Sequence, residues 1–185
     1  MLQEIIGVIG TLFGTVLGWA LSNLSQRGKL NIYPTWRDEF QHNDDYGGMA
    51  ISRNRDEAKL YIYYLTLDLY NSSGGPQIMR KIEVTYFRDK YELFRDTPED
   101  ESTGRISGAT RFYEKVLPIT IPAKTVYTVK LRGGFWNSSC KFSQIWEANK
   151  VMLSYRDGRN KEKKILITKD GFDHYFESHS VVQEG

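Results

Sequence analysis

The sequence predicts a mainly β domain carried behind a single apolar helix, and three observations carry that prediction. Ile5 to Leu24 is a run of twenty residues without a charge, about 30 Å long as a helix, the thickness of a bilayer's hydrocarbon core. The rest is polar enough to bring the mean hydropathy of the whole chain to -0.50. It also alternates in period two between turn clusters and is rich in aromatics (twelve Tyr, nine Phe, four Trp), the composition of strands rather than helices.

The helix comes first. Its leader, Met1-Leu2-Gln3-Glu4, has no Lys or Arg, and the apolar core ends without a small-x-small site, so it reads as a retained transmembrane helix rather than a signal peptide. Buried core helices in small domains rarely lack polar residues on every face. Gly10, Gly14, Gly18 and Ser22 recur every fourth residue, with Gly7 one turn earlier. Small residues at i and i+4 let backbones approach in lipid, so this face is expected to pack on a second copy or on another membrane protein. Arg27, Lys29 and Arg37 follow the helix and no base precedes it. The positive-inside rule therefore leans towards a cytoplasmic main domain.

The division expected is an anchor over residues 1–25, a β domain over 26–172 and a polar tail over 173–185. Beyond residue 24 the chain carries 25 basic and 22 acidic residues, too balanced for a nucleic-acid footprint. Cys140 is the one cysteine, so no disulfide forms within the chain.

Residues 29–40 read as a first strand, with Pro34 at an edge or bulge, and 41–57 as a loop. Ala58 to Tyr70 is the strongest strand, with Leu65, Leu67 and Leu69 alternating against Thr66 and Asp68. Asn71-Ser72-Ser73-Gly74-Gly75-Pro76 is a turn. It leads to a strand over 77–88 in which Ile78, Ile82, Val84 and Tyr86 share a face, so that the pair is a hairpin or a crossover between sheets. Residues 89–110 read as a mobile acidic excursion. Strands are expected over 112–119 and 125–132, with Pro118 and Pro122 marking strand ends. A short helix over 142–149 with Ser143 as its cap, and a hairpin 151–155/163–169 around Arg156-Asp157-Gly158-Arg159-Asn160, complete the domain. About seven strands and one short helix match an immunoglobulin-like β-sandwich, with a small β-barrel second.

The phrases Gly18-Trp19-Ala20-Leu21-Ser22, Arg27-Gly28-Lys29-Leu30, Leu69-Tyr70-Asn71-Ser72-Ser73-Gly74 and Leu117-Pro118-Ile119-Thr120-Ile121-Pro122-Ala123-Lys124 complete a layout. It resembles small single-pass proteins of bacteria and their prophages, with a Gly-rich helix and one immunoglobulin-like domain. The resemblance is one of layout over the whole chain. It implies superinfection exclusion, envelope accessory or anti-phage roles. The layout is also similar to membrane effectors of cyclic-oligonucleotide defence, where two helices are usual and this chain has one.

No GxSxG, phosphate-binding Gly-rich loop or HExxH is present, and nothing reads as a catalytic centre, a cofactor site or a metal site. Asp170, Asp173, His174, Glu177 and His179 concentrate ligand types but read as a polar tail. Cys140 reads as a small residue packed beside Phe142. Gly133-Gly134 reads as a turn or bulge carrying Phe135 and Trp136, an aromatic patch where exposed and core where buried. Arg156, Arg159, Lys161, Lys163 and Lys164 form a basic hairpin, a solvated turn or, where it folds back to a bilayer, a contact for anionic lipid or a partner. Asn71 and Asn137 stand in glycosylation acceptor triplets. Two functions are expected from these features. One is a membrane-tethered, non-catalytic binding module. The other is a sensor-effector whose β domain binds a nucleotide-type messenger and clusters the helices.

Overall fold

The computed structural model describes residues 2–25, 28–44, 48–52, 55–108 and 110–169, with backbone only for residues 2–9 and 25. The expected helix is present as α1 (Leu2–Ser25). From Gly10 to Leu24 every side chain is exposed except the half-buried Ala20. Leu12, Phe13, Val16 and Trp19 each leave more than half their surface uncovered, between 62% and 68%. It is not a core helix of this chain. Among the described residues no helix is long and apolar enough to cross a membrane.

Among the described residues eleven strands follow, more than the seven expected: β1 (Leu30–Asn43), β2 (Met49–Ile51), β3 (Leu60–Asn71), β4 (Gln77–Arg88), β5 (Tyr91–Asp96), β6 (Glu99–Ser107), β7 (Thr110–Lys115), β8 (Ile119–Ile121), β9 (Val126–Trp136), β10 (Lys150–Arg156) and β11 (Glu162–Thr168), with the short helix α2 (Cys140–Ile145) before β10. They form a six-stranded sheet, β2-β1-β3-β9-β6-β7, and a five-stranded sheet, β11-β10-β4-β5, with β8 on β4. Two sheets with separate edges make a sandwich and not a closed barrel. The turn after Asn71 is a crossover, since β3 and β4 lie in different sheets. Pro34 sits where β1 has β3 on one side and β2, which reaches only residues 41–43, absent from the other. The missing donor therefore faces an open edge.

The core is built as the leucine alternation demands. Leu65, Leu67 and Leu69 are fully buried and cluster with Ile82, Val84 and Tyr86 of β4 and Val151 and Leu153 of β10. Ile78 does not join them; fully buried Met79 does. The reason is a bulge. Ser154 pairs with Glu83 but Arg156 with Arg80, so one residue of β10 stands against two of β4, and Lys81 takes a left-handed φ of 48°. An extra residue reverses which side chains point inward.

Gly133-Gly134 is the middle of β9, not a turn. A Cβ on Gly133 would overlap the Tyr63 ring, so the glycine is what lets Tyr63 lie across its neighbour. The Tyr63 hydroxyl then donates to Asp96 Oδ2 at 2.7 Å, and that of Tyr61 to Asp38 Oδ2 at 3.0 Å. Burial, first of all, raises the phenol pKa of Tyr61, Tyr63 and Tyr86 well above the usual 10.0, because a phenolate would lose its hydration there.

The excursion expected over 89–110 is ordered as β5, β6 and the start of β7. These strands flank the sheets and carry alternating ion pairs instead of an apolar stripe, such as Arg95 with Glu92 (2.6 Å) and Glu83 (3.2 Å). Arg132 of β9 lies 4.3 Å from the Tyr113 ring centre and 5.6 Å from that of Tyr64, linking side chains of β7, β9 and β3 within the sheet. The polar stretch expected as a loop over 41–57 contains the β1–β2 hairpin.

At the far end from α1, α2 closes the sandwich. Its cap is Ser139, whose Oγ accepts from the Lys141 amide at 3.3 Å. Ser143, expected to cap, instead donates to the Cys140 carbonyl at 2.8 Å, since the helix starts directly after β9. Phe142 and Ile145 are buried, and Trp146 stacks on Phe40 with ring centres 4.3 Å apart. Cys140 is exposed, a correction to its expected packing beside Phe142: the first helical turn points it outward.

Candidate functional site

The end of the sandwich that meets α1 is built differently. Only residues 26 and 27 separate α1 from Gly28. A Cβ on Gly28 would overlap the Ser72–Ser73 backbone, so only glycine permits the chain to press so closely on the β3–β4 turn. Lys29 locks the contact. Its amide donates to Ser72 Oγ (3.0 Å), and its carbonyl accepts from the Ser72 hydroxyl (2.9 Å) and amide (3.1 Å). Lys124 Nζ donates to the Ser72 carbonyl at 2.6 Å.

Behind this clamp stands Asn71, fully buried. Its Nδ2 donates to the carbonyls of Gly75 (2.8 Å), Ile121 (3.0 Å) and Pro122 (3.0 Å), and its Oδ1 accepts from the Ser73 amide and hydroxyl. One side chain thus ties together the β3–β4 turn and the end of β8. A buried amide so occupied is no glycan acceptor in the folded domain.

The β10–β11 turn reaches the same end. Asp157 Oδ1 accepts from the amides of Arg159 and Lys161, both at 2.9 Å. The Lys161 amide foremost, with the Arg159 amide and the charges of Lys163 and Lys161, holds the Asp157 carboxyl below its usual range against the opposing effect of burial. Arg80 Nη2 donates to the carbonyls of Asp157 (3.3 Å) and Gly158 (3.2 Å), fixing the turn to β4.

Between the turn and the clamp lies a cleft of about 540 Å³. Its lining includes Lys29 and Leu30 beside the clamp, Gln77 and Ile78 of β4, Tyr155 of β10, and Arg159, Lys161 and Lys163. None of those four cations has an ion-pair partner among the described residues. Chemically this is a cleft open to water, with four cations, one acid and a few apolar side chains in its lining and no nucleophile–base pair among them.

The five residues of the basic hairpin are sorted by strand alternation. Lys163 pairs with buried Tyr155 and shares its inward face; with Arg159 and Lys161 it enters the cleft. Arg156 and Lys164 take the outer face. Lys164 Nζ lies 3.7 Å from Glu162 and 5.9 Å from the Phe87 ring centre. Arg156 Nη1 reaches the Asn160 carbonyl at 3.4 Å. Lys29 and Gln77 were not candidates from sequence, because no local pattern tells which distant turn meets the first strand.

The candidate aromatic patch divides. Phe135 is buried in the core and Trp136, the next residue, is 55% exposed. On α1, a Cβ at Gly10, Gly14 or Gly18 would meet nothing within 4 Å, and Ser22 is exposed; the side-chain position at Gly7 lies outside the described residues. So does the cluster Asp170, Asp173, His174, Glu177 and His179, with the 173–185 tail. Among the described residues no group of three or more His, Cys, Asp or Glu could hold a metal ion.

The fold defines a class: an immunoglobulin-like sandwich that begins a few residues after an N-terminal apolar helix. The chain belongs to the YopI Ig-like domain family, which it matches over residues 28–168, from the Gly28 clamp to the end of β11. It is similar to the SPbeta prophage-derived protein YopI of Bacillus subtilis (strain 168), 23% identical over 164 residues, which is 87% of this chain and 92% of the relative. Among solved structures it is similar to the Northeast Structural Genomics Consortium target SoR45, with 11% identity and a TM-score of 0.32 over 74% of this chain and 81% of that one. It is also similar to the Iho670 flagellar-like filament, with 10% identity and a TM-score of 0.35 over 91% and 97%. At such scores neither structure informs the function.

Proposed function

We propose that the protein is a membrane-tethered, non-catalytic binding module that presents its sandwich from the bilayer surface. The observation that carries this reading is the helix: residues 5–24 hold no charge, and the described side chains of α1 are left uncovered by the domain. So large an apolar surface calls for lipid or another helix. The open face at Gly10, Gly14 and Gly18 suits close packing with a second copy or another membrane helix. The prophage origin of the relative favours a role in phage exclusion or anti-phage defence, with a phage or envelope protein as the partner. The basic cleft is the feature that favours the second reading, a ligand-sensing effector, because a sensor needs a concavity with converging polar groups.

Cys140 provides the test, being the one cysteine and exposed. The full chain is expected to stay with the membrane pellet after alkaline carbonate washing; release would overturn the tether. A membrane-impermeant maleimide is expected to spare Cys140 in intact cells and label it after lysis, as the bases after α1 require for a cytoplasmic domain. Labelling of intact cells would reverse the orientation. Gly14→Leu is expected to weaken self-association in membranes, and unchanged association would remove the glycine face from the account.

A further inference from the structure

We propose that the cleft between the Gly28–Leu30 clamp and the β10–β11 turn binds the phosphate group of anionic phospholipid. This would seat the base of the sandwich on the bilayer. The inference deepens the tethered reading and rests on it for the source of the ligand.

Position argues first. Lys29 stands four residues beyond the end of α1 at Ser25, and the clamp on Ser72 fixes it there. Any surface that α1 enters therefore lies beside this cleft. The β10–β11 turn is held to the same end by Arg80.

Charge argues second. Lys29, Arg159, Lys161 and Lys163 converge on one opening, and the one acid lining it, Asp157, spends its Oδ1 on two amides of its own turn. Asp157 offsets part of this charge, since Lys163 and Lys161 help to hold its carboxyl down, but four cations against one acid leave an excess that a phosphate between them would neutralise. Near an anionic bilayer each such cation adds about fivefold to binding.

Shape argues third. About 540 Å³ holds a glycerophosphate headgroup, and Leu30, Ile78 and Tyr155 in the lining offer the glycerol and first methylenes apolar contact. A free phosphate would use the same cations but leave those side chains wet.

The test uses the full chain in an uncharged detergent, titrated with phosphatidylglycerol or phosphatidylcholine and read by native mass spectrometry. Phosphatidylglycerol is expected to bind at least tenfold better. The double variant Lys161→Glu/Lys163→Glu, and separately Arg159→Gln, should lose most of that preference while keeping the native melting curve. Lys164→Glu, on the outer face, should change it less than twofold. Equal loss from Lys164→Glu, or no loss from the cleft variants, would overturn the site. Inorganic phosphate binding as tightly as phosphatidylglycerol, and displacing it, would overturn the lipid assignment in favour of a soluble phosphate. A chain that washes off membranes with carbonate yet keeps the variant-sensitive preference would refute the tether and leave the cleft standing.

Discussion

The two ends of the sandwich solve the same problem in opposite ways. At the far end the gap between the sheets is closed with rings: Phe142 of α2 and Trp146 at its end pack against Phe40, and Lys141 Nζ, 3.6 Å from Asp96 Oδ1, fastens the lid to β5. At the junction end it is held with hydrogen bonds around Asn71 and left open as a cationic cleft. Apolar closure is stable but offers a ligand nothing to grip. Polar closure keeps the backbone fixed while leaving charges uncommitted.

Phe40→Ala should break the far end most severely, at about 4 kcal/mol in urea unfolding, from lost transfer energy plus the cavity left behind. It should leave lipid preference unchanged if the two ends are independent. Asn71→Ala should cost about 3 kcal/mol, because carbonyls at the β3–β4 turn and β8 lose their donor. It should also weaken phosphatidylglycerol binding, since the clamp is built on that turn.

Alkali probes the far half through Tyr61, Tyr63 and Tyr86. Their folded pKa values lie above 10.0, so from that pH upward the unfolded chain sheds phenolic protons that the folded chain keeps. Stability is then full below pH 10 and falls as pH rises, by about 1.4 kcal/mol per pH unit for each phenol. Phenolate absorbance should show these three ionising only with unfolding; early ionisation would mean that the ring cluster is open to water. Arg95→Ala, removing a half-exposed ion network that belongs to neither end, should cost less than about 1 kcal/mol. A larger loss would show that β5 depends on charge rather than on Phe94 beneath it.

What the sequence made legible follows from which interactions are local. Leu65, Leu67 and Leu69 declare a buried strand face by spacing alone. Asp157-Gly158 declares a turn because the side chain bonds to its own loop. Residues 89–107 conceal their strands, since β6 is exposed along most of its length and shows no apolar rhythm. Lys81 hides a bulge that no composition announces, which is why Met79 replaces Ile78 in the core. Three cleft cations were visible as a run, but their company with Lys29 was not. That residue lies more than a hundred positions earlier, and the two segments are brought to one end only by the order of the strands.

The short spacing before Gly28 also sets a height. Two intervening residues span at most about 10 Å, so the base of the domain stays within that distance of the helix end. A sandwich whose central strand β3 has 12 residues rises about 40 Å at the spacing of an extended chain. On the tethered reading, α2, Trp136 and Cys140 ride at that altitude. A partner taken at the far end must then reach down to a fixed level, whereas one taken at the cleft must already lie on the surface.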